Sequence, residues 1–178
     1  MKLYLVEIGG MRDGSLFESH EVHALVAETE SALVALCNAR FADIMHAAHI
    51  DGWTSFAVHP RPALDAARQE RLFLVELGQN APDHVRERHD YHLITATSGK
   101  DAARSARTQA KGWHIDAVVD LDELALAMGV ALQRSADGER PVPDYQSRYL
   151  RLSSKTLAAR SQETDVERPP ALQDAEKI

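Results

Sequence analysis

The sequence contains one cysteine, Cys37, so the chain can form neither an internal disulfide nor a multi-cysteine zinc or iron–sulfur site, which fits a reducing compartment. No apolar run approaches the roughly 18 residues of a membrane span. Basic residues are outnumbered, 20 Lys plus Arg against 27 Asp plus Glu, and a net charge of −7 offers no positive field for duplex nucleic acid. Gly9-Gly10 with Gly14 lacks the spacing of a dinucleotide fingerprint and leads into a strand pattern, so no phosphate cradle is expected. Ser19-His20 and Ser98 supply no Ser–His–Asp arrangement. Nucleic acid and membrane are therefore not expected as partners, and no cofactor is expected. Met1-Lys2 running directly into Leu3-Tyr4-Leu5-Val6, with no signal-peptide h-region, points to the cytoplasm.

What is present is an ordinary globular composition, 44% hydrophobic and 26% charged, on a chain long enough to bury roughly 70% of its unfolded surface. It also carries an internal repeat. Residues 2–9, Lys-Leu-Tyr-Leu-Val-Glu-Ile-Gly, return at 71–78 as Arg-Leu-Phe-Leu-Val-Glu-Leu-Gly, an offset of 69 that gives nine identities over the 28 positions 2–29, among them Glu18/Glu87, His20/His89 and His23/His92. A contraction of four residues then aligns His49-Ile50-Asp51 with His114-Ile115-Asp116.

Each copy reads as ββαβ. In the first, 3–8 and 21–27 are rich in β-formers around a glycine-rich turn. Thr29 or Ser31 is placed to cap a helix with Leu33, Leu36, Cys37, Phe41 and Ile44 on one stripe, and 53–58 reads as a short strand. In the second, Ser98 and Asp101 have capping-box spacing before a slim face of Ala102, Ala103, Ala106 and Ala110, and 115–119 is the closing strand. Asp120 and Glu123 open a further helix over 120–132. Cys37, on an apolar stripe, reads as a buried small hydrophobe rather than a nucleophile. The expected fold class is α+β: two ββαβ units, 2–58 and 71–120, joined by 59–70 with a short helix at 63–68, related by a pseudo-twofold and forming one globular domain over 1–152 with helices on antiparallel-rich sheet. Residues 145–152 read as an edge strand or an extended segment, and 153–178 as a polar tail.

Six of the nine histidines fall in three His-x-x-His pairs, His20/His23, His46/His49 and His89/His92. On strands His20/His23 and His89/His92 point to opposite faces and cannot chelate one ion, and His46/His49 could share a face only if the first helix persisted to them, against which Ile50-Asp51-Gly52 argues. A divalent metal site would have to assemble from separate segments, His20 with His49 and a carboxylate from Glu7 or Asp51. Glu7 falls on the face of Leu3 and Leu5, where a histidine partner would make an acid/base-capable couple and an exposed strand end would make nothing of it. The candidate binding residues are Glu7, His20, His49 and Asp51, with Glu76, His89, His114 and Asp116 as their counterparts. They are read either as latches pinning each loop to its sheet or as two equivalent binding sites.

The unit resembles a bacterial family defined only as a domain of unknown function, whose members carry one or two copies. The resemblance rests on Leu3-x-x-x-Glu7-x-Gly9-Gly10, Glu18-x-His20-Glu21 and His49-Ile50-Asp51-Gly52-Trp53, and in the second copy on 72–78, Glu87-x-His89-Asp90 and His114-Ile115-Asp116. It departs at Gln79, in place of a second glycine, and at Ala117, in place of the tryptophan-bearing stretch, which implies an altered or inactive second loop. It implies a fold and a set of recurrent polar positions but no reaction. The leading functional expectation is a non-catalytic module binding a small molecule or protein, with homo-oligomers left open. The alternative is a small metal-assisted or acid/base enzyme using the repeated Glu/His/His-Ile-Asp set.

Overall fold

The computed structural model describes residues 1–60, 70–134 and 140–153. Along the chain run β1 (Lys2–Met11), β2 (Ser19–Ala27), α1 (Glu30–Phe41), β3 (His46–Pro60), β4 (Arg71–Gln79), β5 (Arg88–Ala96), α2 (Gly99–Gln109), β6 (His114–Asp120), α3 (Leu121–Ala127), β7 (Val130–Leu132) and β8 (Asp144–Arg151). The class is α+β with antiparallel sheets, and the order ββαβ occurs twice. One sheet has the order β2-β1-β3-β7 with β8 also paired to β3, and the other the order β5-β4-β6. The expected linker helix at 63–68 and the tail from 154 lie outside the described residues. By their packing the described residues fall into two compact units, one of 1–4, 26–28, 54–60, 70–134 and 140–144, the other of 5–25, 29–53 and 145–153.

In the first of these, Phe73, Val75 and Leu77 alternate along β4 and bury one face against Ile94 of β5 and Ala102 and Ala106 of α2, with Trp113, Ile115 and Val118 partly buried around them. Small side chains on α2 let the helix lie close to the sheet. The helix starts where Ser98 Oγ accepts from the Asp101 N–H at 3.2 Å, and α3 where Asp120 accepts from the Glu123 N–H at 3.0 Å. The helix expected over 120–132 stops at Ala127. Gly129, at φ +80°, turns the chain out of the helix, and Val130 to Leu132 pair with Pro60 to Val58 of β3. Asp122 fixes α3, accepting from the Leu72 N–H at 2.8 Å and from Arg134, whose side chain is buried with it.

In the other unit Thr29 Oγ1 caps α1 by accepting from the Ala32 N–H at 3.1 Å, and Leu33, Cys37 and Phe41 are buried. Leu36 is half exposed and Ile44 lies beyond the helix end, so the buried stripe is narrower than its apolar spacing suggests. Burial pushes the Cys37 thiol up to about 11. The strand expected at 53–58 is much longer, because β3 begins at His46. β8 lies along β3 at Gly52, where an added Cβ would collide with the Gln146 carbonyl oxygen. Its end is tied by the Leu152 N–H to Ala48 O at 2.8 Å and the Ser153 N–H to Asn38 Oδ1 at 2.7 Å.

Candidate metal centres

Alternation along β4 puts Glu76 and Gly78 on the face opposite Val75 and Leu77. At Gly78 three strands are in register, with His89 of β5 on one side and His114 of β6 on the other. The ladder slips between Glu76 and Leu77, since Glu76 pairs with Ala117 and Leu77 with Ile115; Asp116 is the extra residue, a β-bulge beside the site. A Cβ at Gly78 would lie against Asp116 Oδ2, 2.5 Å from His114 Nε2 and 2.9 Å from Glu87 Oε1. The glycine is the floor on which these groups converge. His114 Nε2 lies 2.7 Å from Glu87 Oε1 and 3.2 Å from Asp116 Oδ1; His89 Nε2 lies 3.4 Å from Glu87 Oε2 and 3.5 Å from Asp116 Oδ2. Asn80 Nδ2 donates to Glu87 Oε1 at 3.2 Å and steadies that carboxylate.

The same arrangement stands on Gly9 of β1, where a Cβ would meet His49 Nε2 and lie 2.9 Å from Asp51 Oδ2. His49 Nε2 is 3.1 Å from Glu18 Oε1 and 3.4 Å from Asp51 Oδ1, and His20 Nε2 is 3.3 Å from Asp51 Oδ2. Two residues before the histidine, Ala47 takes φ +53° and its carbonyl accepts from His49 Nδ1 at 2.9 Å. The corresponding residue before His114 is Gly112, at φ +87°, so both strands enter their cluster through a left-handed residue.

That hydrogen bond decides what His49 can do. A carbonyl only accepts, so Nδ1 carries a proton, which leaves Nε2 as a lone pair in the neutral ring and as a second donor in the imidazolium. Nε2 faces carboxylate oxygens of Glu18 and Asp51, while Asp51 Oδ2 is buried without a hydrogen bond. Two carboxylates brought together in this way are stabilised by a donor or a positive charge between them, a histidine N–H, an imidazolium or a cation. The spacing is that of ion pairs and also accommodates metal ligands. Four ligands at the 2.0–2.1 Å of Zn–N and Zn–O bonds stand roughly 3.3–3.4 Å apart at the corners of a tetrahedron. Six of the seven separations above fall between 3.1 and 3.5 Å, the exception being His114 to Glu87. Ligand atoms of Glu18, His20 and His49 all lie within 4.8 Å of one another, as do those of Glu87, His89 and Asp116.

Six of the eight sequence candidates, His20, His49, Asp51, His89, His114 and Asp116, meet in these clusters. Glu7 and Glu76 do not supply the carboxylates: Glu7 is half-buried on β1, and Glu76 accepts from Tyr91 OH at 3.3 Å. Glu18 and Glu87 take that place. Their signal was their identity at the offset of 69, but they lie in the turn-rich stretch before β2 and β5, where strand alternation says nothing of direction. His20/His23 and His89/His92 divide as alternation requires, His23 pairing with Glu21 at 3.1 Å and His92 with Asp90 at 3.2 Å, while His46, before the left-handed Ala47, pairs with Asp13 at 2.7 Å. Arg12, donating to Glu21 at 2.7 Å, holds that carboxyl below its usual range.

No family model and no curated protein matches the chain. Among solved structures, the crystal structure of a protein Il1583 from Idiomarina loihiensis is similar to it, with a TM-score of 0.56 and 22% identity over 85% of this chain and 97% of that one. At that identity the likeness shows the fold alone. Among the described residues no helix is long and apolar enough to cross a membrane.

Proposed function

We propose that the chain is a tandem duplication of a ββαβ unit, akin to the bacterial family it resembles, and that each unit binds one divalent transition-metal ion, of the zinc class, on its glycine floor. It acts in the cytoplasm as a binding module rather than through a nucleophile of its own. The observation that carries this reading is His49, whose Nδ1–H is committed to the Ala47 carbonyl while Nε2 faces two carboxylates. A backbone carbonyl holding the distal ring nitrogen is how metal-ligating histidines are commonly oriented. Two neutral imidazoles and two carboxylates give an N2O2 set whose charge cancels that of a divalent ion. Zinc and its neighbours accept such a set, whereas calcium and magnesium prefer six or more oxygens.

Equilibrium dialysis against Zn2+ with elemental analysis tests it, alongside thermal unfolding. The expected result is two ions per chain and a Tm that rises with metal concentration, because a ligand of the native state stabilises it by mass action. The variants Glu18→Gln/His20→Ala and Glu87→Gln/His89→Ala should each retain one ion. If the clusters are latches, Zn2+ uptake is absent and each histidine removed costs about 1 kcal/mol of stability, as for a lost hydrogen bond.

A further inference from the structure

The two clusters share donors but not surroundings. His49 is 7% exposed, and the ring of Tyr149 on β8 lies over it at 4.6 Å and 33°. His114 and His89, by contrast, are 48% and 42% exposed. The cause is visible in the chain. β8 can lie along β3 because Gly52 has no side chain to strike the Gln146 carbonyl, whereas the corresponding residue on β6 is Ala117. One cluster is therefore roofed over His49, with His20 33% exposed beside it, and the other has no such roof.

We infer that the second cluster, Glu87, His89, His114 and Asp116, is an exchange site whose metal ion takes an additional ligand from solution, a small oxygen- or nitrogen-donor anion, while the first is closed to it. This rests on the metal-binding reading above. A divalent ion balanced by two carboxylates carries no net charge with its ligands, so an entering anion meets no net repulsion from them. Half-exposed imidazoles leave it a path. At the first cluster the Tyr149 ring occupies that side of His49. The departure at Ala117, which with Gln79 implies in the sequence an altered or inactive second loop, goes on this view with an accessible one.

Cobalt(II), which reports coordination through its visible d–d bands, is the probe, with azide as the anion. The variant Glu18→Gln/His20→Ala leaves only the second cluster, and Glu87→Gln/His89→Ala only the first; all four positions are at least partly exposed, and far-UV circular dichroism checks the fold of each variant. Saturating azide should change the band shape and intensity of the chain retaining the second cluster and leave the chain retaining the first unchanged. Adding Tyr149→Ala to the latter should make it respond. Unchanged spectra at the second cluster, or equal responses at both before Tyr149 is removed, overturn the inference while leaving metal binding intact. Absence of any cobalt d–d band in the parent chain overturns the metal reading and this inference with it.

Discussion

The clusters on Gly9 and Gly78 set the same donor atoms in two settings, and the difference shows how one edge strand changes a site without changing its donors. Around Gly9, β8 runs along β3 and Tyr149 covers His49. Around Gly78, β6 carries Ala117 where β3 carries Gly52, and both imidazoles stay half exposed. The clusters depend on strand register and the two floor glycines. The shielding depends on a third glycine and on a strand more than 90 residues away.

The largest effect expected of a single substitution is at the floors. Gly9→Ala and Gly78→Ala put a Cβ onto His49 Nε2 and Asp116 Oδ2 respectively, and each should weaken zinc binding at its own cluster by ~100-fold or more, since even outer-shell changes cost about 10–100-fold. Isothermal titration of each variant should show one site lost and the other kept; equal loss of both would break the correspondence between floor and site. Gly9→Ala should also lower stability by about 1–3 kcal/mol, because buried His49 has little room to move, and Gly78→Ala by less.

Next in size is Gly52→Ala, which drives a Cβ into the Gln146 carbonyl. It should displace β8, cost about 1–3 kcal/mol and raise proteolysis within 144–153, removing the roof without removing a ligand. Unchanged protease resistance would show that the glycine is not what admits the strand.

A smaller, stabilising effect is expected of Ala47→Gly. The left-handed conformation costs a residue with a Cβ about 1–2 kcal/mol, and the greater unfolded-state freedom of glycine offsets part of that, leaving a gain of roughly 0.5–1 kcal/mol in chemical denaturation. Gly112→Ala should move stability the opposite way. The smallest effect is at Cys37, whose thiol is pushed up to about 11 by burial. Ellman's reagent should label the native chain only slowly at pH 8. Since the folded thiol holds its proton longer than the unfolded one, its contribution to stability is complete below pH 9 and falls as pH rises toward 11.

Much of this was legible in the sequence, and what was missed has definite causes. The repeat, the ββαβ order and the caps at Thr29, Ser98 and Asp120 follow from local chemistry, as does the division of His20 from His23 by strand alternation. Glu7 drew attention because alternation aimed it at an apolar face, whereas Glu18 and Glu87 lie just outside their strands, where no period fixes a direction. The bulge that turns Asp116 toward Gly78 is a property of pairing between strands, which one strand's residues do not record. Likewise the apolar spacing of Leu121, Leu124, Ala125, Met128 and Leu132 runs through Gly129, although glycine favours the left-handed turn that ends the helix there.

Zinc K-edge X-ray absorption on the chain loaded with two equivalents of Zn2+ tests the central claim most directly. The predicted spectrum has four nitrogen and oxygen neighbours at about 2.0–2.1 Å, the outer-shell scattering of two imidazoles per ion, and no sulfur. A six-coordinate, all-oxygen shell without imidazole scattering, or a chain that retains no zinc, would contradict it.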